Sequence, residues 1–258
     1  MKLHFDSKQE FQLEAVKAIT DIFEGQPLSG GDFEFSITQP GALLTENGFG
    51  NKIDFSHLDQ LTENIQRVQK NHDLKVSTKD EIISNGWNFS IEMETGTGKT
   101  YVYLRTIYEL NKIYGFKKFV IVVPSVAIRE GVIKNLEITE EHFQNLYDKV
   151  PINSNVYDSK KVSNLRGFAS ANTIQVLVIN IDSFAKDENI INKPNDKLTG
   201  KKPVEFIQSC KPIVIVDEPQ NMETDIRKKA IENLNPLCTL RYSATHTNLY
   251  NLVYSLNP

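Results

Sequence analysis

The sequence predicts an α/β fold, a three-layer sandwich with helices on both faces of a mainly parallel sheet. Three observations lead there. From Asn88 onward, short apolar runs alternate with amphipathic stretches, the pattern left by strand–helix–strand crossovers. A glycine-rich loop joins one of these runs to the helical stretch after it, at Gly96 and Gly98. An acidic pair, Asp217-Glu218, ends another run, where parallel sheets place their ligands.

Taken in order, Ser7-Lys-Gln-Glu10 has the form of a helix capping box. Phe11, Ala15, Ala18, Ile19 and Ile22 then recur at helical spacing, so the chain from about 7 to 23 is expected to be an amphipathic helix that Gly25 to Gly31 ends. Residues 25–86 read as an insertion, too thin in apolar residues for an independent domain. Gly30-Gly31, Pro40-Gly41 and Asn47-Gly48 are turn signals within it, and Leu58, Leu61, Ile65 and Val68 mark one helix-like stretch. The expected organisation is therefore an N-terminal helix over 1–24, the insertion over 25–86 and an α/β core over 87–258. In the core the expected strands are 88–93, 118–124, 173–181, 212–217 and 238–243, with a weaker one near 154–157. Helices are expected at about 98–114, 126–148, 203–210 and 224–234, and a polar surface loop from Lys186 to Lys202.

Composition narrows the class. The longest apolar runs, such as Phe119 to Val123, are far short of a membrane span, and Met1 to Asp6 hold no apolar signal region. A cytoplasmic protein without a membrane partner is expected. Two cysteines, Cys210 and Cys238, make a disulfide framework improbable and read as buried free thiols. The net charge of −4 means that any contact with nucleic acid must come from a local track rather than bulk charge.

The chemistry concentrates in three short segments. Met93-Glu-Thr95-Gly96-Thr97-Gly98-Lys99-Thr100 follows a strand and opens a helix, the context a phosphate-binding loop requires. Gly96 and Gly98 let successive N–H groups point at phosphate oxygens, and the helix N-terminus adds its positive end. Lys99, expected to be exposed in the loop, can reach the β and γ phosphates, and the Thr100 hydroxyl can hold Mg²⁺. The strict motif wants glycine at position 93, where this chain has Met. At the end of Pro212 to Val216, Asp217 would bind the Mg²⁺ through water and Glu218 would orient or deprotonate the attacking water. Ser243-Ala-Thr245 closes the strand Cys238 to Tyr242. Alone that tripeptide is a turn former; its meaning comes from its order after Lys99 and Asp217-Glu218.

In that order the three segments resemble motifs I, II and III of superfamily 2 helicases and translocases. Val122-Val-Pro-Ser125 through Arg129-Glu-Gly131 is similar to motif Ia, and Asn180-Ile-Asp-Ser183-Phe184 stands in the place of motif Ib. Gln12 resembles the adenine-reading glutamine that precedes motif I, the alternative being a solvated surface amide. The Asp217-Glu-Pro-Gln220 form of motif II, with Val123-Pro-Ser-Val-Ala-Ile-Arg129 and Leu240-Arg-Tyr-Ser-Ala-Thr-His246, resembles the Res subunits of type III restriction enzymes.

The resemblance implies a RecA-like P-loop NTPase domain that uses ATP and Mg²⁺. Thr95 to Thr100 and Gln12 would hold nucleotide, Lys99 and Glu218 would serve catalysis, and Thr100 and Asp217 the metal. Ser243 and Thr245 would couple the motifs, and Ser125, Arg129 and Ser183 would meet duplex DNA. It further implies a modification (methyltransferase) subunit as partner. Because the chain ends thirteen residues after Thr245, it is expected to be a fragment, with a second RecA-like domain and a nuclease domain downstream. Two alternatives stay open: a superfamily 2 helicase domain of another branch, acting on RNA or DNA, or a nucleotide-binding assembly module without turnover.

The other candidates are bland. Histidines 4, 57, 72, 142 and 246 have no ligand spacing. Trp87 reads as packing rather than a base-stacking platform, and Arg129 is balanced between a phosphate contact and a solvated arginine.

Overall fold

A computed structural model describes residues 5–28, 31–39, 42–54 and 58–256, with only the backbone at 35–39, 42–45 and 58. Nine strands and eight helices occur among the described residues. The chain begins with α1 (Glu10–Ile22), a two-stranded antiparallel ribbon of β1 (Gly31–Gln39) and β2 (Ala42–Gly50), and helices α2 (Leu58–Asn71) and α3 (Lys79–Asn85). The core then alternates: β3 (Asn88–Glu92), α4 (Lys99–Tyr114), β4 (Lys118–Val123), α5 (Val126–Leu146), β5 (Ile152–Val156), α6 (Asn164–Ser170) and β6 (Ile174–Asn180). It continues with α7 (Pro203–Ser209), β7 (Ile213–Asp217), α8 (Asp225–Asn233), β8 (Cys238–Ser243) and β9 (Leu252–Ser255). Strands β3 to β9 form one sheet in the order β5-β6-β4-β7-β8-β3-β9, every pairing parallel.

The three layers follow from the two-residue period of the strands. On β4, Phe119, Ile121 and Val123 point into one core while Val120 and Val122 point into the other. On β7, Ile213 and Ile215 part company with Val214 and Val216 in the same way. The first core is closed by α1, α2, α4 and α5; the second by α6, α7 and α8. Cys210 and Cys238 are buried free thiols, and Trp87 packs against the first core, as expected.

Several local expectations are corrected. The predicted capping box does not form: Gln9 is the N-cap of α1 and no side chain caps it. The segment before it is instead held to α4, where Arg105 Nη1 donates to the Ser7 carbonyl at 2.7 Å. A capping box does form at Thr78 and Glu81, opening α3. Asn47-Gly48 lies inside β2, paired with Glu34 and Phe33, rather than at a turn. Pro40-Gly41, Gly30, His4 and His57 lie outside the described residues. The polar stretch 186–202 is not purely surface, since Ile191 and Leu198 reach the second core. Helix α6 and the edge strand β9 carry no sequence expectation.

The helix-like stretch of 58–68 is α2, and it uses amides where it is short of apolar residues. Leu61, Ile65 and Val68 join the first core. Buried Asn64 donates to the carbonyls of Ile22 and Glu24 (3.0 and 2.8 Å), satisfying the end of α1, and Gln69 donates to Leu252 at 3.0 Å. Lys118 is a fully buried lysine whose ammonium donates to the Phe168, Ala169 and Ala171 carbonyls at the end of α6. Burial pushes its pKa down to about 8.

Candidate nucleotide site

Strand order makes the site. Because β8 lies between β7 and β3, Tyr242 pairs with Asp217 on one side and Ser243 with Glu92 on the other. The three strand ends therefore deliver the glycine loop, the acidic pair and the Ser-Ala-Thr segment to one edge of the sheet. Backbone bonds lock them: Met93 N–H donates to Ser243 O at 2.9 Å, and Glu218 N–H to Tyr242 O at 3.1 Å.

The loop depends on two left-handed glycines, Gly96 (φ 86°) and Gly98 (φ 85°), the second capping the N-terminus of α4. The positive φ reserves Gly98 for glycine, and a Cβ there would stand 2.7 Å from Gln12 Nε2 and displace that amide. Met93 departs from the strict motif because its side chain is core, only 1% exposed, rather than loop. Gln12 is buried, not a surface amide: its Nε2 donates to Thr97 O at 3.0 Å and braces the loop from α1.

Lys99 corrects the expectation of exposure. Its side chain is 10% exposed, with Nζ 3.2 Å from Glu218 Oε1 and 3.5 Å from Met93 O. The other oxygen, Glu218 Oε2, accepts from Gln220 Nε2 at 2.6 Å. Gln220 Oε1 in turn accepts from Ser243 Oγ at 2.8 Å, and that hydroxyl oxygen accepts from Thr245 N–H at 3.0 Å. The motifs are thus joined in one line from Lys99 to Thr245. Glu218 is held at φ 55°, a left-handed conformation costly for a side-chain-bearing residue and frequent at functional positions. Asp217, buried beside it, accepts from Tyr103 Oη at 3.3 Å. Burial first, and the adjacent Glu218 carboxylate second, raise its pKa to about 6.

A cavity of about 550 Å³ collects Gln12, Thr95, Gly96, Gly98, Lys99, Thr100, Asp217 and Glu218, together with Phe5, Asp6, Gln9, Tyr101, Ile128 and Asn135. Thr97 acts through its carbonyl on Gln12. The donor set suits a magnesium–nucleoside triphosphate. Amides and Lys99 receive anions, whereas Asp217, desolvated beside a second carboxylate, gains from a cation. Among the described residues no arginine lines this cavity.

The expected DNA residues stand apart. Arg129 and Ser183 share a separate polar cavity of about 850 Å³ with Lys161 and Asn164. Ser125 does not line it; its Oγ accepts from Ile128 N–H at 3.3 Å and caps α5. Sequence reasoning missed the bridge made by Gln220, although the residue lay within the acidic motif. It also missed Asn135, for which no signal existed. No helix among the described residues is long and apolar enough to cross a membrane.

The sheet, the glycine loop and the acidic strand end define a P-loop nucleotide-binding α/β domain. Residues 54–248 match the family described as type III restriction enzyme, res subunit, and the chain belongs to that family. It is 32% identical over 242 residues to the Res subunit of the type III restriction-modification enzyme EcoP15I of Escherichia coli, covering 85% of this chain and 23% of that protein. To the StyLTI Res subunit of Salmonella typhimurium it is 34% identical over 182 residues, 63% of this chain and 18% of that one. The chain thus spans about a quarter or less of the length of these curated relatives. Among solved structures, the DUF1998 helicase MrfA bound to DNA and AMPPNP aligns with 93% of this chain and 34% of its own, at 13% identity and a TM-score of 0.45.

Proposed function

We infer that this chain is the first RecA-like motor domain of an ATP-driven DNA translocase, working within a type III restriction enzyme. The observation that carries the reading is the unbroken contact line Lys99–Glu218–Gln220–Ser243–Thr245. It ties a phosphate-binding residue to a water-orienting carboxylate and to the segment that follows.

Each residue's task follows from its surroundings. The loop amides and Lys99 bind and orient the phosphates, while Thr100 and Asp217 are the residues that would hold Mg²⁺. The metal, when bound, neutralises charge on the β and γ phosphates. A phosphate competes with Glu218 for Lys99, and the Oε1 so released can accept a proton from water. Gln220 keeps Oε2 engaged and so fixes the carboxylate's orientation. Gln12 supports the loop and has an acceptor and a second N–H left for a base edge.

Duplex DNA would cross the cavity that holds Arg129 and Ser183, with a modification (methyltransferase) subunit reading sequence. Among the described residues no arginine lines the nucleotide cavity, which favours a second reading for the 258-residue chain alone: a module that binds ATP and turns it over slowly. An arginine supplied by another domain or subunit is worth about 10³–10⁵ in rate.

The test is ATP turnover by a complete Res protein carrying this domain. Duplex DNA should stimulate it and RNA should not; stimulation by RNA alone would move the domain to another helicase branch. Glu218→Gln should remove turnover by about 10³-fold or more while calorimetry finds ATP binding retained. Equal turnover in the variant would end the assignment of Glu218.

A further inference from the structure

Helix α5 borders both cavities with neighbouring residues. Ile128 lines the nucleotide cavity, and Arg129, the next residue, lines the polar cavity that holds Ser183. Ile128, Asn135 and His142 follow one another at seven-residue spacing, so they form one stripe along α5. All three are half-buried, and Asn135 lines the nucleotide cavity as well. At the far end of the stripe, His142 Nε2 is 2.9 Å from Tyr101 Oη, and Tyr101 both follows Thr100 and lines the same cavity. Phe5, another lining residue, packs on both rings at 6.0 and 5.4 Å between centroids.

We propose that α5 couples the two cavities, with Asn135 as a nucleotide-contacting residue and His142 as a positioning residue that pins the helix to α4. The inference rests on the nucleotide and DNA readings given above. Asn135 Nδ2 donates to Gly131 O at 2.9 Å, within its own helix, and its Oδ1 has no partner among the described residues. An amide oxygen facing this cavity reads a donor on the nucleoside, either a ring amine or a ribose hydroxyl. The Gly-loop and carboxylate residues at the other side of the cavity take the phosphates. A helix held at Asn135 by nucleotide and at Tyr101 by His142 moves as a rigid body. Its first turn carries Arg129, so nucleotide binding shifts that guanidinium. Ser125, the cap of α5, travels with it.

Coupling of two binding sites is reciprocal, and this makes the proposal measurable without turnover. On the 258-residue chain, duplex DNA affinity is measured by anisotropy with and without Mg²⁺·AMPPNP, and AMPPNP affinity by calorimetry with and without DNA. The unmodified chain should show the same factor in both directions, about 5-fold or more. Asn135→Ala should weaken AMPPNP by about 5-fold and reduce the coupling factor towards one, leaving DNA affinity without nucleotide unchanged. His142→Phe keeps the aromatic packing and loses the bond to Tyr101; it should bind both ligands separately with unchanged affinity and lose the coupling. His142→Gln, which can still meet Tyr101 Oη, should restore it. Adenosine analogues lacking the 6-amino group or the 2′-hydroxyl identify which donor Asn135 reads.

If both ligands bind and the factor is one in the unmodified chain, or persists in His142→Phe, the role of α5 is wrong while the nucleotide and DNA readings stand. If AMPPNP or DNA does not bind at all, the underlying reading fails, and this inference with it.

Discussion

The two cavities that α5 borders are built on opposite principles. The nucleotide cavity is set by backbone and by interlocked, shielded groups: Lys99 is 10% exposed, Asp217 is buried, and Glu218 has a partner on each oxygen. The Arg129 cavity is bordered largely by polar side chains, and among the described residues Arg129 pairs with its neighbour Glu130, 2.9 Å away and 60% exposed. A pair of that kind contributes little and is easily exchanged for another anion. The first site is pre-organised, and its ligand meets groups already oriented and partly desolvated. On the DNA reading proposed above, the second would be organised by its ligand, so its affinity should rest on counter-ions rather than geometry. The contrast suits the motor proposed above, in which the fuel must be gripped in one geometry and the track must be released.

The largest test of that contrast is Lys99→Ala. Losing charge-assisted bonds to the phosphates should weaken ATP by at least about 100-fold, or ~2.7 kcal/mol. The fold should persist with a loss of about 1 kcal/mol, because Glu218 is partly solvated and regains water. Calorimetric titration together with a thermal melt checks both. Unchanged ATP affinity would remove the phosphate-loop assignment.

Gln12→Ala sharpens the picture at intermediate size. Its bond to Thr97 O braces the loop for any nucleotide, so a common loss of about 3-fold is expected for ATP, GTP and CTP. A further loss of about 3-fold or more should fall on ATP alone, because the remaining amide groups can pair with the adenine edge. Equal losses across the three nucleotides would reduce Gln12 to a brace.

The smallest effect should come from Arg129→Ala. Duplex DNA binding is expected to fall by about 2- to 5-fold, uniformly across sequences, and the slope of log affinity against log salt to drop by about 0.9. Stability should stay within ~0.5 kcal/mol. A sequence-dependent loss would mean that this cavity reads bases, and the contrast between the two sites would then collapse.

How much of this was legible beforehand differs between the sites for the same reason. The loop is a local object: Gly96, Gly98, Lys99 and Thr100 need only a strand before and a helix after, and periodicity shows both. Asp217-Glu218 likewise marks a strand end that hydrophobicity alone delimits. The Arg129 cavity joins α5 to the turn after β6 and the segment after β5, and nothing in local sequence says that these meet. Strand β9 escaped notice because four residues at a sheet edge give too short a pattern. The capping box was misplaced because Ser7 and Glu10 satisfy the local rule, yet contact with Arg105 directs the chain elsewhere.

The sequence by itself determined which chemical groups this protein owns and their order along the chain: a phosphate loop, an acidic pair, a Ser-Ala-Thr turn, and the alternation that makes a parallel sheet. Only the tertiary structure decided which of them touch. That Gln220 bridges Glu218 to Ser243, that Lys99 is shielded against Glu218, and that Gln12 reaches Thr97 across 85 residues all depend on the strand order and on where α1 lies. Periodicity encodes which face of a strand is buried but not which strand lies beside it, because hydrophobic burial is non-directional and many strand orders bury the same residues. Side-chain hydrogen bonds exist only once one of those orders is realised.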